Sequence, residues 1–133
     1  MIDKKYSDDE LKSKLTKEQY DILVNKSTEA PFSGNLVDNK EEGVYVCPIC
    51  GSELFSSDTK FDSHSGWPSF YDVANNKAVK LIDDNSLGMR RTEVVCATCG
   101  GHLGHLFHDA TDQPTGDRYC INSASLKFMP KSK

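Results

Sequence analysis

The chain has 133 residues, 37% hydrophobic and 27% charged, with 16 basic and 20 acidic side chains and a net charge of −4. That length supports a single domain over 1–133 with a modest core, and the balance is too apolar for a disordered polymer. The acidic total lacks the basic footprint of a nucleic-acid binder, the charged N-terminus does not read as a signal peptide, and no apolar run approaches the ~18 residues of a membrane span.

A cytoplasmic chain is therefore expected, in which thiols stay reduced and paired cysteines indicate metal rather than disulfides. Residues 1–30 read as a helical N-terminal segment, with two short helices between 7 and 26. Ser7 with Glu10 and Thr16 with Gln19 fit the capping box, in which a hydroxyl and a later Glu or Gln satisfy orphan N–H groups. Leu11 and Leu15, then Tyr20, Leu23 and Val24, form apolar stripes at helical spacing. A turn-rich stretch follows from Thr28 to Gly43.

From 36 to 128 short strands alternate with Gly, Asn, Asp and Pro clusters, which predicts a mainly β fold: antiparallel sheets or a small barrel. The expected strands are Val44–Val46, a second beginning at Leu54, Ala78–Ile82, Thr92–Val95, Leu103–Phe107, Tyr119–Ser123 and Ser125–Met129. Lys131 to Lys133 read as a frayed tail. Cys47-Pro48-Ile49-Cys50 and Cys96-Ala97-Thr98-Cys99 each follow a strand and precede glycine. Four thiolates at this spacing suit one tetrahedral, structural Zn²⁺ with no open position for catalysis. The segment 51–95 between the pairs is longer than in a compact zinc ribbon, so the metal would staple two distant turns.

The fifth cysteine, Cys120, is left over. On a strand, Arg118, Cys120 and Asn122 share one face, so this thiol has a guanidinium and a carboxamide as neighbours, and a nearby positive charge lowers a thiol pKa. Three of the four histidines lie in Gly100 to His108, which favours acid–base work. His102 and His105 would fall on opposite faces of a regular strand, and they share a pocket only if the chain bulges or bends near Gly104. The only tryptophan, Trp67, sits in a Gly66-Trp67-Pro68 turn.

Cys47-x-x-Cys50, Gly66-Trp67-Pro68-Ser69-Phe70, Cys96-x-x-Cys99, His102-Leu103-Gly104-His105 and Arg118 to Leu126 occur in that order. Together they resemble the zinc-containing methionine-R-sulfoxide reductase B family over about Leu36 to Phe128. The resemblance implies two antiparallel sheets with short N-terminal helices, and a zinc site remote from the active site. It implies that Cys120 attacks the sulfur of methionine-R-sulfoxide in proteins or peptides, with His102, His105, Asn122 and Arg118 around the reacting centre. It assigns Trp67 and Phe128 to substrate binding. Many relatives carry a recycling cysteine where this chain has Ser65, so an external thiol such as thioredoxin is expected to reduce the Cys120 sulfenic acid. From the residues alone two other readings stay open: a zinc-stabilised binding module, and a redox switch acting through Cys47 or Cys50.

Overall fold

The computed structural model describes residues 6–85, 88 and 90–131; residues 132 and 133 of the expected tail lie outside them. Helix α1 (Asp8–Lys14) starts at Ser7, whose hydroxyl accepts the Glu10 N–H. Helix α2 (Lys17–Leu23) carries the full reciprocal box between Thr16 and Gln19. Each helix has only seven residues, too short to be stable alone, so both depend on the apolar side chains they bury. Leu11, Leu15, Ile22 and Leu23 are that buried set, while Tyr20 and Val24 are half-buried at its edge. Neither helix is long and apolar enough to cross a membrane.

Among the described residues nine strands follow: β1 (Gly43–Val46), β2 (Glu53–Ser56), β3 (Lys60–Phe61), β4 (Ser69–Phe70), β5 (Val79–Asp84), β6 (Arg91–Cys96), β7 (His102–Phe107), β8 (Arg118–Ile121) and β9 (Lys127–Pro130). They form two antiparallel sheets, one of three strands in the order β2-β1-β9 and one of six in the order β3-β4-β8-β7-β6-β5. The mainly β expectation is thus met. The seven expected strands are present, with β8 ending at Ile121 rather than Ser123, because Asn122 leads into a 3-10 turn (Ser123–Ser125). Strands β3 and β4 were not expected; each has two residues, and no periodic signal fits in two.

The core lies between the sheets. Phe55 of β2 stacks on Phe70 of β4 with centroids 4.4 Å apart, and Tyr45 of β1 meets Phe70 edge-on at 5.1 Å. Offset and edge contacts of this kind add about 0.5–1.5 kcal/mol per pair beyond burial. Helix α2 seals one end of this core. Leu23 packs so closely on Gly101 that a Cβ there would come within 3.1 Å of Leu23 Cδ2.

Two placements matter for function. Strand β8 lies between β4 and β7, so Cys120 is paired on one side with Ser69 and on the other with His105. The Gly66-Trp67-Pro68 turn leads directly into β4 and is therefore held against the Cys120 strand.

Candidate active site and metal centre

The four paired cysteines converge. All four sulfurs lie within 4.8 Å of one another, with Cys47 to Cys99 and Cys50 to Cys96 each at 3.6 Å. A tetrahedral ion at about 2.3 Å from each sulfur requires sulfurs about 3.8 Å apart, so the spacing fits a metal. The chemistry of the set fits as well. Backbone N–H groups of Thr98 and Cys99 point at Cys96 and that of Gly101 at Cys99, and each favours a thiolate. Cys96 is held low by its sulfur neighbours Cys47 and Cys99, while Cys47 is pushed far up by Cys96 and Cys99. Four thiolates this close ionise together only around a cation. The cluster can bind a metal ion, and none of its cysteines lines the cavity described next.

That cavity, of about 270 Å³, opens over the six-stranded sheet and is lined by Ser65, Trp67, His105, Arg118, Cys120 and Asn122, among others. Alternation along β8 accounts for three of these: Tyr119 and Ile121 turn inward and are buried, leaving Arg118 and Cys120 on the open side. Asn122 continues that side and is pinned, its Nδ2 donating to Leu103 O at 3.0 Å. The Trp67 indole Nε1–H donates to Glu29 O at 3.0 Å, which fixes the ring as one wall.

Cys120 is half-buried, and its sulfur lies 3.8 Å from the Ser65 hydroxyl. Burial pushes its thiol above the ordinary cysteine range, and the Ser65 hydrogen bond and Arg118 charge only partly offset this. The expected lowering by Arg118 is thus present but outweighed by desolvation, which favours the neutral thiol. Arg118 itself is clamped. It donates two bonds to the Asp109 carboxylate, at 3.0 and 3.1 Å, and its guanidinium lies 4.5 Å from the Phe107 ring centroid. The same pair holds the Asp109 carboxyl below the usual range and raises Arg118 further.

The two central histidines do come onto one face, through a bulge. Val94 pairs with Gly104 and Val95 with His102, so Leu103 is the extra residue. Their rings meet edge-on at 5.7 Å. Only His105 lines the cavity; His102 is buried behind it at 3% exposure. Gly104 is needed for a different reason from the bend. A Cβ there would lie 2.0 Å from Cys120 O, so glycine permits the close approach of β7 to β8.

Both imidazoles are oriented by carboxylates. His102 Nδ1 bonds to Glu93 Oε2 at 2.7 Å and His105 Nε2 to Asp84 Oδ2 at 2.8 Å. A carboxylate partner keeps the proton on that nitrogen, leaving His102 Nε2, which is buried without a hydrogen bond, as an acceptor. Burial holds His102 below the ordinary histidine range, with Glu93 pulling the other way. The third histidine, His108, is exposed and pairs with Asp117 instead.

Phe128 is not brought to the cavity. It pairs across the strands with Tyr45 in the three-stranded sheet, ring centroids 4.9 Å apart, over the space left by Gly43. Packing between β9 and β1 accounts for this residue, and of the two aromatics expected at the substrate only Trp67 lines the cavity.

Residues missed by sequence reasoning are mainly carboxylates: Glu29, Asp84, Glu93 and Asp109. Glu93 alone left a signal, a charge inside the apolar run of β6, where it is buried. Arg91 and Thr28 also line the cavity from segments that carried no motif.

The SelR domain family matches residues 15–130. The chain is 62% identical over 122 residues to a protein of Methanosarcina mazei named peptide methionine sulfoxide reductase MsrB, covering 92% of this chain and 86% of that one. It is 57% identical over 123 residues to the MsrB of Leptospira interrogans, covering 92% and 93%. It is also 51% identical over 125 residues to mouse methionine-R-sulfoxide reductase B3, mitochondrial, covering 94% of this chain and 49% of that protein. The chain thus belongs to the SelR domain family, whose matching members are methionine-R-sulfoxide reductases of the MsrB type.

Proposed function

We propose that the chain is a peptide-methionine (R)-S-oxide reductase in which Cys120 is the nucleophile and repair of oxidised proteins is the outcome. The observation that carries this reading is that Cys120, the one thiol outside the metal cluster, lines a cavity shared with an indole, an imidazole and a guanidinium.

The substrate's S-methyl group packs against Trp67, and its oxygen faces His105 and Asn122. Hydrogen bonding or protonation of that oxygen makes the sulfur electrophilic. Cys120 gives up its proton and attacks the sulfur, with Arg118 stabilising the negative charge as it develops. The S–O bond of the substrate breaks, the oxygen passes with the thiol's proton to the cysteine sulfur, and the products are methionine and a Cys120 sulfenic acid. Two external thiols then reduce the sulfenic acid, releasing water and forming one disulfide between them. His102, neutral and held by Glu93, backs His105 rather than touching substrate. A pocket that fixes methyl on one side and oxygen on the other accepts one sulfoxide epimer, and the R assignment follows the named relatives.

Ser65 stands beside Cys120 where a cysteine could form a disulfide with it, and a hydroxyl cannot. The other four thiols belong to the metal cluster, for which we propose Zn²⁺ bound by Cys47, Cys50, Cys96 and Cys99 in a purely structural role. Thioredoxin is the proposed reductant and the cytoplasm the proposed location, both consistent with reduced, metal-bound cysteines.

One equivalent of a methionine-R-sulfoxide peptide, added without reductant and followed by dimedone trapping and mass spectrometry, tests the scheme. The expected product carries dimedone on Cys120 alone. An internal disulfide to Cys120, or label on Cys47 or Cys50, contradicts it.

A further inference from the structure

We propose that Glu29 is a positioning residue for this reduction: its buried carboxylate pins the one backbone segment that holds both Trp67 and Asn122 in the cavity wall. Four hydrogen bonds to four different residues converge on it. The carboxylate accepts the Ser123 N–H at 2.9 Å on Oε2 and the Ala124 N–H at 3.1 Å on Oε1. The Glu29 N–H donates to Asn122 Oδ1 at 3.1 Å, and the Glu29 carbonyl accepts the Trp67 indole N–H at 3.0 Å.

Any residue but proline at position 29 offers a backbone N–H and C=O, so the bonds to Asn122 and Trp67 do not by themselves require glutamate. They require the backbone to be in place, and the side chain puts it there. Ser123 and Ala124 begin the 3-10 turn that follows β8, so the carboxylate ties the 28–30 segment to the end of the nucleophile's own strand. Charge-assisted bonds of this kind are about twice as strong as neutral ones. The site is built to keep the group: Glu29 is 8% exposed, and Gly34 leaves room for it, since a Cβ there would come within 2.6 Å of Oε2. An amide in its place would turn an NH₂ toward one of two N–H donors. The indole on one side of the substrate and the carboxamide beside its oxygen would then lose their common anchor.

This role rests on the reading of Trp67 and Asn122 as substrate-facing groups, and the test separates the two. With one tryptophan in the chain, the indole N–H gives a single NMR resonance. In the metal-loaded wild type that proton should exchange slowly with water. E29Q should speed its exchange and lower kcat/KM for N-acetyl-methionine-R-sulfoxide about tenfold, equivalent to ~1.4 kcal/mol, chiefly through KM. Metal content should not change. E29D, which keeps the charge and loses reach, should fall between the two. In a W67F background the E29Q loss should shrink, because the two changes act on one wall.

Rapid indole exchange in the wild type overturns the proposal and needs no variant to fold. So does unchanged exchange in both E29Q and E29D, or a fully additive W67F/E29Q loss. A W67F enzyme with wild-type KM would instead sink the substrate-wall reading, and this role with it.

Discussion

Replacing Gly104 by alanine places a methyl carbon 2.0 Å from the carbonyl oxygen of Cys120 and 2.9 Å from the Cα of Ile121. Ordinary carbon contacts lie at about 3.5–4.0 Å, so β7 and β8 must part by roughly 1 Å or more. Both obstructing atoms belong to backbone, and neither can rotate away. Overpacking of this kind costs about 1–3 kcal/mol, and the upper end applies where nothing flexible yields. At about 3–5 °C per kcal/mol for a chain of this size, the Tm should fall by roughly 10 °C. The functional cost should be larger. The strand that moves carries the nucleophile, and a displacement of about 1 Å can cost on the order of a hundredfold in rate. Thermal unfolding of the metal-loaded protein, with kcat/KM for N-acetyl-methionine-R-sulfoxide measured well below the new Tm, reads both effects. G104A with wild-type Tm and wild-type kcat/KM would refute the claim that close approach of β7 sets the position of Cys120.

The raised thiol of Cys120 predicts that iodoacetamide labels it with a pH midpoint above that of free cysteine. Arg118→Met should move the midpoint higher still, because Arg118 works against burial. The sign for stability follows from the same shift. A group protonated more tightly when folded contributes fully below its unfolded pKa of about 8.5, and that contribution is lost as pH rises through the folded value. In urea titrations wild type should therefore lose stability relative to C120A as pH rises into the alkaline range. Cys99→Ser should release the metal and lower the Tm steeply, since structural zinc sites supply about 10–16 kcal/mol of apparent binding energy; a metal-free protein melting at the wild-type temperature would contradict the structural role. Glu93→Gln places an amide against His102 Nδ1, and the expected result is an altered pH profile of kcat with Cys120 labelling unchanged.

Local signals made the strands and helices legible. Thr16 and Gln19 formed the capping box that their spacing suggests, and the two Cys-x-x-Cys turns closed on each other as their chemistry requires. Alternation on β8 placed Arg118, Cys120 and Asn122 toward one cavity. What stayed hidden depended on residues distant in the chain. The bulge at Leu103 is visible only against β6, and Gly104 acts on a carbonyl of β8 rather than on its own strand. Glu29 meets Ser123 across 94 positions, and no spacing rule connects them. Phe128 shows the opposite failure: an aromatic assigned to substrate sits in a strand pair that only the sheet order reveals. The net effect on Cys120 was missed for an energetic reason. The nearby arginine is readable from sequence, but the burial that outweighs it is not.

The most direct test is steady-state reduction of separated R and S epimers of N-acetyl-methionine sulfoxide with dithiothreitol, for wild type and C120S at equal metal content. Wild type should turn over the R epimer alone, and C120S should turn over neither while keeping its metal and fold. Reduction of the S epimer by wild type, or of the R epimer by C120S, would contradict the assignment of this cavity and its free thiol.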